Sequence, residues 1–328
     1  MPLISVVIPC YGEENSVRPL YDRLTAVFTE QLRSYSYELI FVDDLSPDGT
    51  RERLRELCAA DPEHARAIFN ARNFGFIRNV FASLRYGQGD ATFLIFGDLQ
   101  DPPELLPQMV AAWENGGKTI LGQRTNHGYS PFKALLHGLY YRLMSRLGES
   151  EQLPRCNGFG LYDRSFIEVL RSIDDPEPYL GSILADLAVD LRLIPYTQQE
   201  SLRGHSGINF MKSYDVAMMG ITSSTKALMR AATFVGAALG TLSGLYALSV
   251  LIGKLLHPDA YPFGTAAILI GIFFIGGVQL FFTGILGEYL LSVNKRTQHR
   301  PLVIVGETLN MAVPQVTCPD IGKTGEKP

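Results

Sequence analysis

The chain lacks most of what marks a disulfide scaffold, a zinc protein or a nucleic-acid binder. Of its 328 residues four are cysteine (Cys10, Cys58, Cys156 and Cys318), and no two form a CxxC pair. Thiols scattered in this way make neither a metal pattern nor a disulfide framework, and they fit a reducing compartment. No Lys/Arg run exists. The 29 basic and 33 acidic residues leave a formal net charge of −4, which argues against a nucleic-acid partner. The histidines at 64, 127, 137, 257 and 299 show no ligand spacing, and no internal repeat is visible. The opening MPLISVVIPCYGEE has no basic stretch ahead of its apolar run and reaches charge early. It reads as a strand rather than a secretory leader, so the N-terminal domain is expected to stay in the cytoplasm.

Charge is also missing from two later stretches, residues 231–253 and 260–287, separated only by Lys254–Asp259. Each holds roughly 20 or more residues, enough for a helix to cross a ~30 Å hydrocarbon core. Two in tandem read as a membrane hairpin, with helices over about 231–253 and 264–287. Lys226 and Arg230 precede the first, and Lys295, Arg296 and Arg300 follow the second, while the connecting loop offers Lys254 alone. By the positive-inside rule both ends face the cytoplasm, which makes this a multi-pass protein of the inner (cytoplasmic) membrane. Gly236, Gly240 and Gly244 recur every four residues, a spacing that suits close packing within the hairpin or a homo-oligomer. Glu288 stands at the inner edge of the second span, as a functional carboxylate or as a helix-end contact.

Ahead of the spans, strand-like and helix-like segments alternate. Ile4–Pro9, Tyr37–Val42, Ala67–Phe69, Thr92–Phe96 and Thr119–Leu121 read as strands. Residues 16–34, 50–60 and about 78–87 read as helices, and Pro102-Pro103-Glu104 as a helix start. That alternation predicts an open, mostly parallel α/β sheet. Four regions are expected: a domain over 1–200, an interfacial juxtamembrane segment over 201–230, the two helices within 231–292, and a cytoplasmic tail over 293–328, weakly ordered from about Thr308.

In parallel sheets ligands sit at the carboxyl ends of the strands. Three predicted strand ends bring polar groups there: Tyr11/Glu13, Asp43/Asp44 and Asp98/Gln100/Asp101. Asp43 can accept hydrogen bonds from a base or ribose, whereas Asp44 and Asp48 can equally serve as turn formers or helix caps. Asp98 and Asp101 are candidate catalytic or ligating carboxylates. Mg²⁺ or Mn²⁺ on a diphosphate takes one or two carboxylates together with phosphate oxygens. For Asp98 the ligand reading is favoured, and for Asp101 the helix-cap reading.

Pro9–Glu14 (PCYGEE), Val42–Thr50 (VDDLSPDGT), Arg72–Gly75 (RNFG), Asp98–Glu104 (DLQDPPE) and Gly122–Arg124 (GQR) together resemble family 2 glycosyltransferases of the GT-A fold. With the two spans and Leu286–Pro301 (LGEYLLSVNKRTQHRP), the chain is similar to bacterial polyprenyl-phosphate glycosyltransferases, relatives of dolichol-phosphate mannose synthase. The resemblance implies a Rossmann-like domain followed by the hairpin. It implies inverting transfer from a nucleotide-sugar donor to a membrane polyprenyl phosphate, usually undecaprenyl phosphate. It places Pro9, Tyr11, Glu13 and Asp43 around the nucleotide, Asp98 on the metal and diphosphate, and Gln100 and Arg124 nearby; Arg203 and His205 could stand in for the family's diphosphate-holding Arg and Lys.

The sequence departs from that family at several charged positions. Phe96 stands where the first carboxylate of Asp-x-Asp is usual. Gly158 and Gly160 replace an acidic and a basic residue, and Ser201 and Gly207 replace an Arg and a Lys, with Arg203 and His205 nearby. Two further readings follow. One is a catalytically diverged subunit that binds nucleotide sugar or polyprenyl phosphate in a glycan-assembly complex. The other is a transferase with a different acceptor.

Overall fold

The protein was analysed as a computed structural model that describes residues 1–125, 155–176, 178–199, 265–297 and 301–311, with isolated positions 241, 245, 252 and 256. Its first two strands come from the β-branched and aromatic runs that favour a covered, pleated surface. β1 (Leu3–Cys10) and β2 (Ser36–Asp43) pair in parallel from Leu3 opposite Ser36 to Cys10 opposite Asp43. Every β1 residue after Leu3 is buried, as in strands covered on both faces. Between them α1 (Val17–Glu30) buries Val17, Leu20, Leu24, Val27 and Phe28, one face of a helical period.

α2 (Thr50–Ala60), β3 (Ala65–Asn70), α3 (Phe76–Tyr86) and β4 (Ala91–Leu94) continue the alternation. α3 starts two residues before the expected Arg78, directly after Gly75, whose φ of +92° cannot belong to a right-handed helix. A 3₁₀ turn at Pro103–Leu105 leads into α4 (Leu106–Glu114) and then β5 (Thr119–Arg124). Four further elements carry little signature in the sequence: β6 (Gly160–Asp163), α5 (Arg164–Ser172), α6 (Leu180–Leu187) and β7 (Leu191–Tyr196).

The eight strands form one sheet in the order β7-β5-β6-β4-β1-β2-β3-β8, where β8 is Val305–Leu309. β1 to β4, β5 and β7 run in one direction, and only β6 and β8 oppose them. The expected α/β, mostly parallel architecture is therefore present. Six carboxyl ends and the start of the reversed β6 share one edge of the sheet, and that edge holds the candidate site.

β8 reaches just past the expected start of the tail at about Thr308, and residues 312–328 lie outside the described residues. It lies beyond both uncharged stretches, yet it closes the sheet against β3, with Ala67 opposite Leu309 and Asn70 opposite Val305. Its short, mixed sequence gives no strand signal alone; an open β3 edge and cross-strand groups hold it. Arg55 Nη2 lies 2.8 Å from Glu307, and Asn310 Nδ2 donates to the carbonyls of Cys58 and Ala65 at 2.8 and 2.9 Å. Leu302, Val305, Leu309 and Met311 pack on the core.

The second uncharged stretch overlaps α7 (Thr265–Thr297), which continues past it through Glu288, Lys295 and Arg296 and several of whose side chains lie outside the described residues. Among the described residues no helix is long and apolar enough to cross a membrane. Residues 201–230 and, apart from Thr241, Leu245 and Ile252, the first stretch also lie outside them.

Asn310 has a φ of +58°, a left-handed value that asparagine tolerates and alanine does not. Asn310→Ala should lower unfolding free energy by roughly 1–3 kcal/mol and expose residues 301–311 to protease. An unchanged urea midpoint would mean that β8 is held by other contacts.

Candidate active site

One half of the site is the paired ends of β1 and β2. The loops that leave them are laced together. Gly12 N donates to Ser46 Oγ at 2.9 Å, Glu13 N to Thr50 Oγ1 at 2.7 Å, and Gly49 N to Glu14 Oε2 at 3.2 Å. Pro9 is buried at the end of β1, and Tyr11 projects from the edge, 46% exposed. Glu13 turns inward and accepts from Ser16 Oγ at 2.6 Å. Asp43 is fully buried, held by the Ser46 hydroxyl and by Arg51 Nε at 3.1 Å. Burial pushes its carboxyl up against the opposing pull of Ser46 and Arg51.

Asp44 works differently from its neighbour. Its buried carboxylate accepts from Phe74 N at 2.9 Å, Gly75 N at 2.8 Å and Asn70 Nδ2 at 2.9 Å. It thus fixes the Arg72–Gly75 loop after β3, a role that turn chemistry in the sequence does not disclose.

The other half is the loop after β4 together with β5, β6 and β7. Phe96, in the place of the usual carboxylate, is 7% exposed, and its ring lies 5.4 Å from that of Phe76. Gly97 lets the loop pass Glu13: a Cβ there would stand 3.0 Å from Glu13 Cγ. Asp98 is half-buried, and its Oδ1 accepts from Gln100 N at 3.2 Å. Leu99 has a φ of +58°, a strained value for a branched side chain that turns the loop between Asp98 and Asp101. Leu45, just after Asp44, has the same φ.

Asp101 does not cap the helix that follows; no side chain does so at that turn. It is fully buried instead, accepting from Tyr196 Oη and from Asn157 Nδ2 at 3.0 Å, with Arg124 Nη2 3.7 Å away. Arg124 Nε donates to Tyr196 Oη at 3.1 Å. Burial works against the Arg124 charge, but Asp101 and Tyr196 outweigh it and the guanidinium is held more firmly protonated. The Tyr196 hydroxyl is pushed up by burial and by Asp101. Gln100 is gripped from the same side: its carbonyl accepts from Gln199 N at 2.9 Å and its side chain from Gln198.

The structure thus brings Pro9, Tyr11, Glu13, Asp43, Asp98, Gln100, Asp101 and Arg124 to one edge. Arg203, with Ser201, His205 and Gly207, lies outside the described residues. Tyr196 and Asn157 join the site from β7 and the start of β6; recognising those strands was the only route to them. The two glycine departures before and in β6 have steric reasons. A Cβ on Gly160 would fall 2.2 Å from the Ile120 carbonyl oxygen, so no side chain fits between β5 and β4. Gly158 has a φ of +94°, and a Cβ would meet Leu180 at 2.8 Å. Gly122 is equally confined, facing the Phe159 and Tyr196 rings at 2.5 and 2.8 Å.

Among the described residues no three His, Cys, Asp or Glu side chains gather into a metal cage. Asp101 is fully buried among its partners, whereas Asp98 is half-buried at the edge. A single carboxylate fits a Mg²⁺ or Mn²⁺ ion shared with diphosphate oxygens and water, not a metal centre built from protein alone.

The family described as Glycosyl transferase family 2 matches residues 5–171. A bactoprenol glucosyl transferase of Shigella phage SfV is 29% identical over 303 residues, covering 92% of this chain and 97% of that protein. A glycosyltransferase of Synechocystis is 30% identical over 305 residues, covering 93% and 95%. A prophage bactoprenol glucosyl transferase homolog of Escherichia coli is 28% identical over 303 residues, covering 92% and 98%. Among solved structures, UDP-bound glucosyl-3-phosphoglycerate synthase of Mycobacterium tuberculosis aligns over 66% of this chain and 76% of its own, with 16% identity and a TM-score of 0.48.

Two substitutions test this geometry. Gly160→Ala should cost about 1–3 kcal/mol or more through overpacking, and an unaltered melting temperature would refute the close approach of β5. Tyr196→Phe removes the hydroxyl between Asp101 and Arg124. It should cost about 1–2 kcal/mol, with a larger loss in affinity for a nucleoside diphosphate than Phe159→Leu produces at similar stability.

Proposed function

The chain belongs to glycosyl transferase family 2, and from that premise we propose that it transfers a sugar to undecaprenyl phosphate. The donor is a nucleotide sugar and the reaction takes place at the cytoplasmic face of the inner membrane. The observation that carries this is the convergence of Asp43, Asp98, Gln100 and Arg124 on the carboxyl edge of a mostly parallel sheet. The names of the Shigella phage and Escherichia coli relatives, bactoprenol glucosyl transferase and a homolog of it, support a polyprenyl phosphate as the acceptor.

In this reading Asp43 receives hydrogen bonds from the base or ribose, with Pro9, Tyr11 and Glu13 shaping the crevice around it. The acceptor phosphate is already anionic at neutral pH and needs no general base. Its oxygen attacks the anomeric carbon from the face opposite the nucleotide, the bond to the diphosphate oxygen breaks, and the electron pair leaves with the diphosphate, inverting the centre. The protein has to align the two and stabilise the leaving charge. Arg124 is suited to that, its cation fixed by Tyr196 and Asp101 before any ligand arrives. Asp98 would hold Mg²⁺ or Mn²⁺, which neutralises diphosphate charge when bound.

The membrane hairpin belongs to the same proposal. Residues 265–287 of α7 carry no charged side chain, and Ile268, Ile272, Ile275, Leu286 and Leu290 are exposed. Apolar side chains left uncovered along a helix in this way mark a surface that meets lipid or another chain. β8 adds an argument from parity. It follows both stretches yet pairs in the same sheet as β1–β3, so any crossings of a bilayer between Tyr196 and Val305 would have to be even in number. Two spans satisfy this, with both ends in the cytoplasm.

Detergent-purified protein incubated with undecaprenyl phosphate, Mg²⁺ or Mn²⁺ and a panel of nucleotide sugars should yield a glycosylated lipid by mass spectrometry. No product with any donor, beside an active relative, would favour the diverged binding subunit. Asp98→Asn should reduce turnover about 10²-fold or more and abolish divalent-dependent donor binding. Unchanged binding by calorimetry would remove Asp98 from the site.

A further inference from the structure

The segments that run to and from the two uncharged stretches both touch the carboxyl edge. On the outgoing side, Gln199 N donates to the Gln100 carbonyl just before residues 200–230. On the return side, β8 is antiparallel to β3, so it begins where β3 ends, and Ala71 N donates to the Ile304 carbonyl at 2.9 Å. Thr297, the last residue of α7, precedes Ile304 by seven residues, which span at most about 25 Å when extended. Ala71 therefore lies within that reach of the end of α7, where Lys295, Arg296 and Arg300 are clustered.

Ala71 opens the loop that Asp44 clamps. Arg72 is exposed, with its guanidinium carbon 5.0 Å from the Phe74 ring centre. Phe76 is 66% exposed although Phe96 flanks it. A large aromatic side chain held out to solvent directly after a backbone pinned through the Phe74 and Gly75 N–H groups to one buried carboxylate loses little further entropy on insertion. Its neighbour Arg72 supplies the cation that pairs with anionic headgroups, at about 1 kcal/mol for each basic residue near such a surface.

We propose that the Arg72–Phe76 loop docks on the bilayer, with Phe76 entering the headgroup–acyl boundary and Arg72 on anionic lipid phosphates. This would turn the carboxyl edge, and so the donor crevice, toward the lipid acceptor. The proposal rests on the membrane reading of α7, which places the tether's far end at the cytoplasmic interface.

The test uses the full chain in nanodiscs of phosphatidylcholine and phosphatidylglycerol, with brominated acyl chains as quenchers of indole fluorescence. Trp113, the only native tryptophan, lies on α4 and serves as the background. Phe76→Trp exchanges one exposed aromatic for another, and Ile272→Trp reports on α7. The expected result is quenching of the added fluorescence in both variants, with Trp113 unaffected, and reduced quenching of Phe76→Trp when Arg72→Ala is added. Quenching of Ile272→Trp without Phe76→Trp would overturn the docking and leave the membrane reading standing. Quenching of neither would overturn both. A blue shift of Phe76→Trp without quenching would place the loop against protein, as in contact with a second copy, and would equally overturn the proposal.

Discussion

The carboxylate of Asp101 is the point on which half of the site depends. It is fully buried, so it persists only because Tyr196, Asn157 and Arg124 share it. Those partners come from β7, the approach to β6 and the end of β5. One buried charge thereby gathers four stretches of chain far apart in sequence. A buried carboxylate without such partners would be costly, so the loop after β4 is driven to the one conformation that supplies them. The consequence for function is a pre-set Arg124, whose cation is oriented without help from a ligand.

At the described positions where charge is missing, packing accounts for the glycines. Gly160 sits between β5 and β4 with the Ile120 carbonyl where its Cβ would be. Phe96 is folded under Phe76 instead of reaching toward a cation. Asp98, Arg124 and Gln100 remain at this edge, so in the proposed reading the electrostatic part of donor recognition falls on fewer groups. Strain is placed beside them: Leu45 and Leu99 share a left-handed φ of +58°, each within the turn that follows a functional strand end. Left-handed backbone at a residue with a Cβ costs about 1–2 kcal/mol, offset here by hydrogen bonds around Asp43, Asp44 and Asp101.

The sheet also carries information about the rest of the chain. Its last strand, β8, returns after both uncharged stretches and shields the β3 edge that would otherwise be open to pairing. The first residues of β8 and the last of β7 meet the same edge of the sheet. There Gln199 N meets the Gln100 carbonyl, and Ala71 N meets the Ile304 carbonyl beside the loop that Asp44 fixes.

Much of this was legible in the sequence. Dense β-branched runs such as Ile4–Pro9 and Tyr37–Val42 specify buried parallel strands, because few other environments accept them, and the period of α1 specifies its core face. Acidic residues at the ends of those strands do gather at one edge of the sheet, as their positions after the strands imply. What the sequence by itself determined was local: element type, the direction of the sheet and the family motifs. What only the tertiary structure decided was long-range pairing. Val305–Leu309 becomes a strand because β3 offers an open edge, and Tyr196 enters the site because β7 lies beside β5. Asp101, a helix cap by sequence pattern, becomes the centre of a buried network because its partners converge there. Hydrogen bonds between residues some ninety positions apart leave no periodic trace along the chain, so only the folded sheet could assign them.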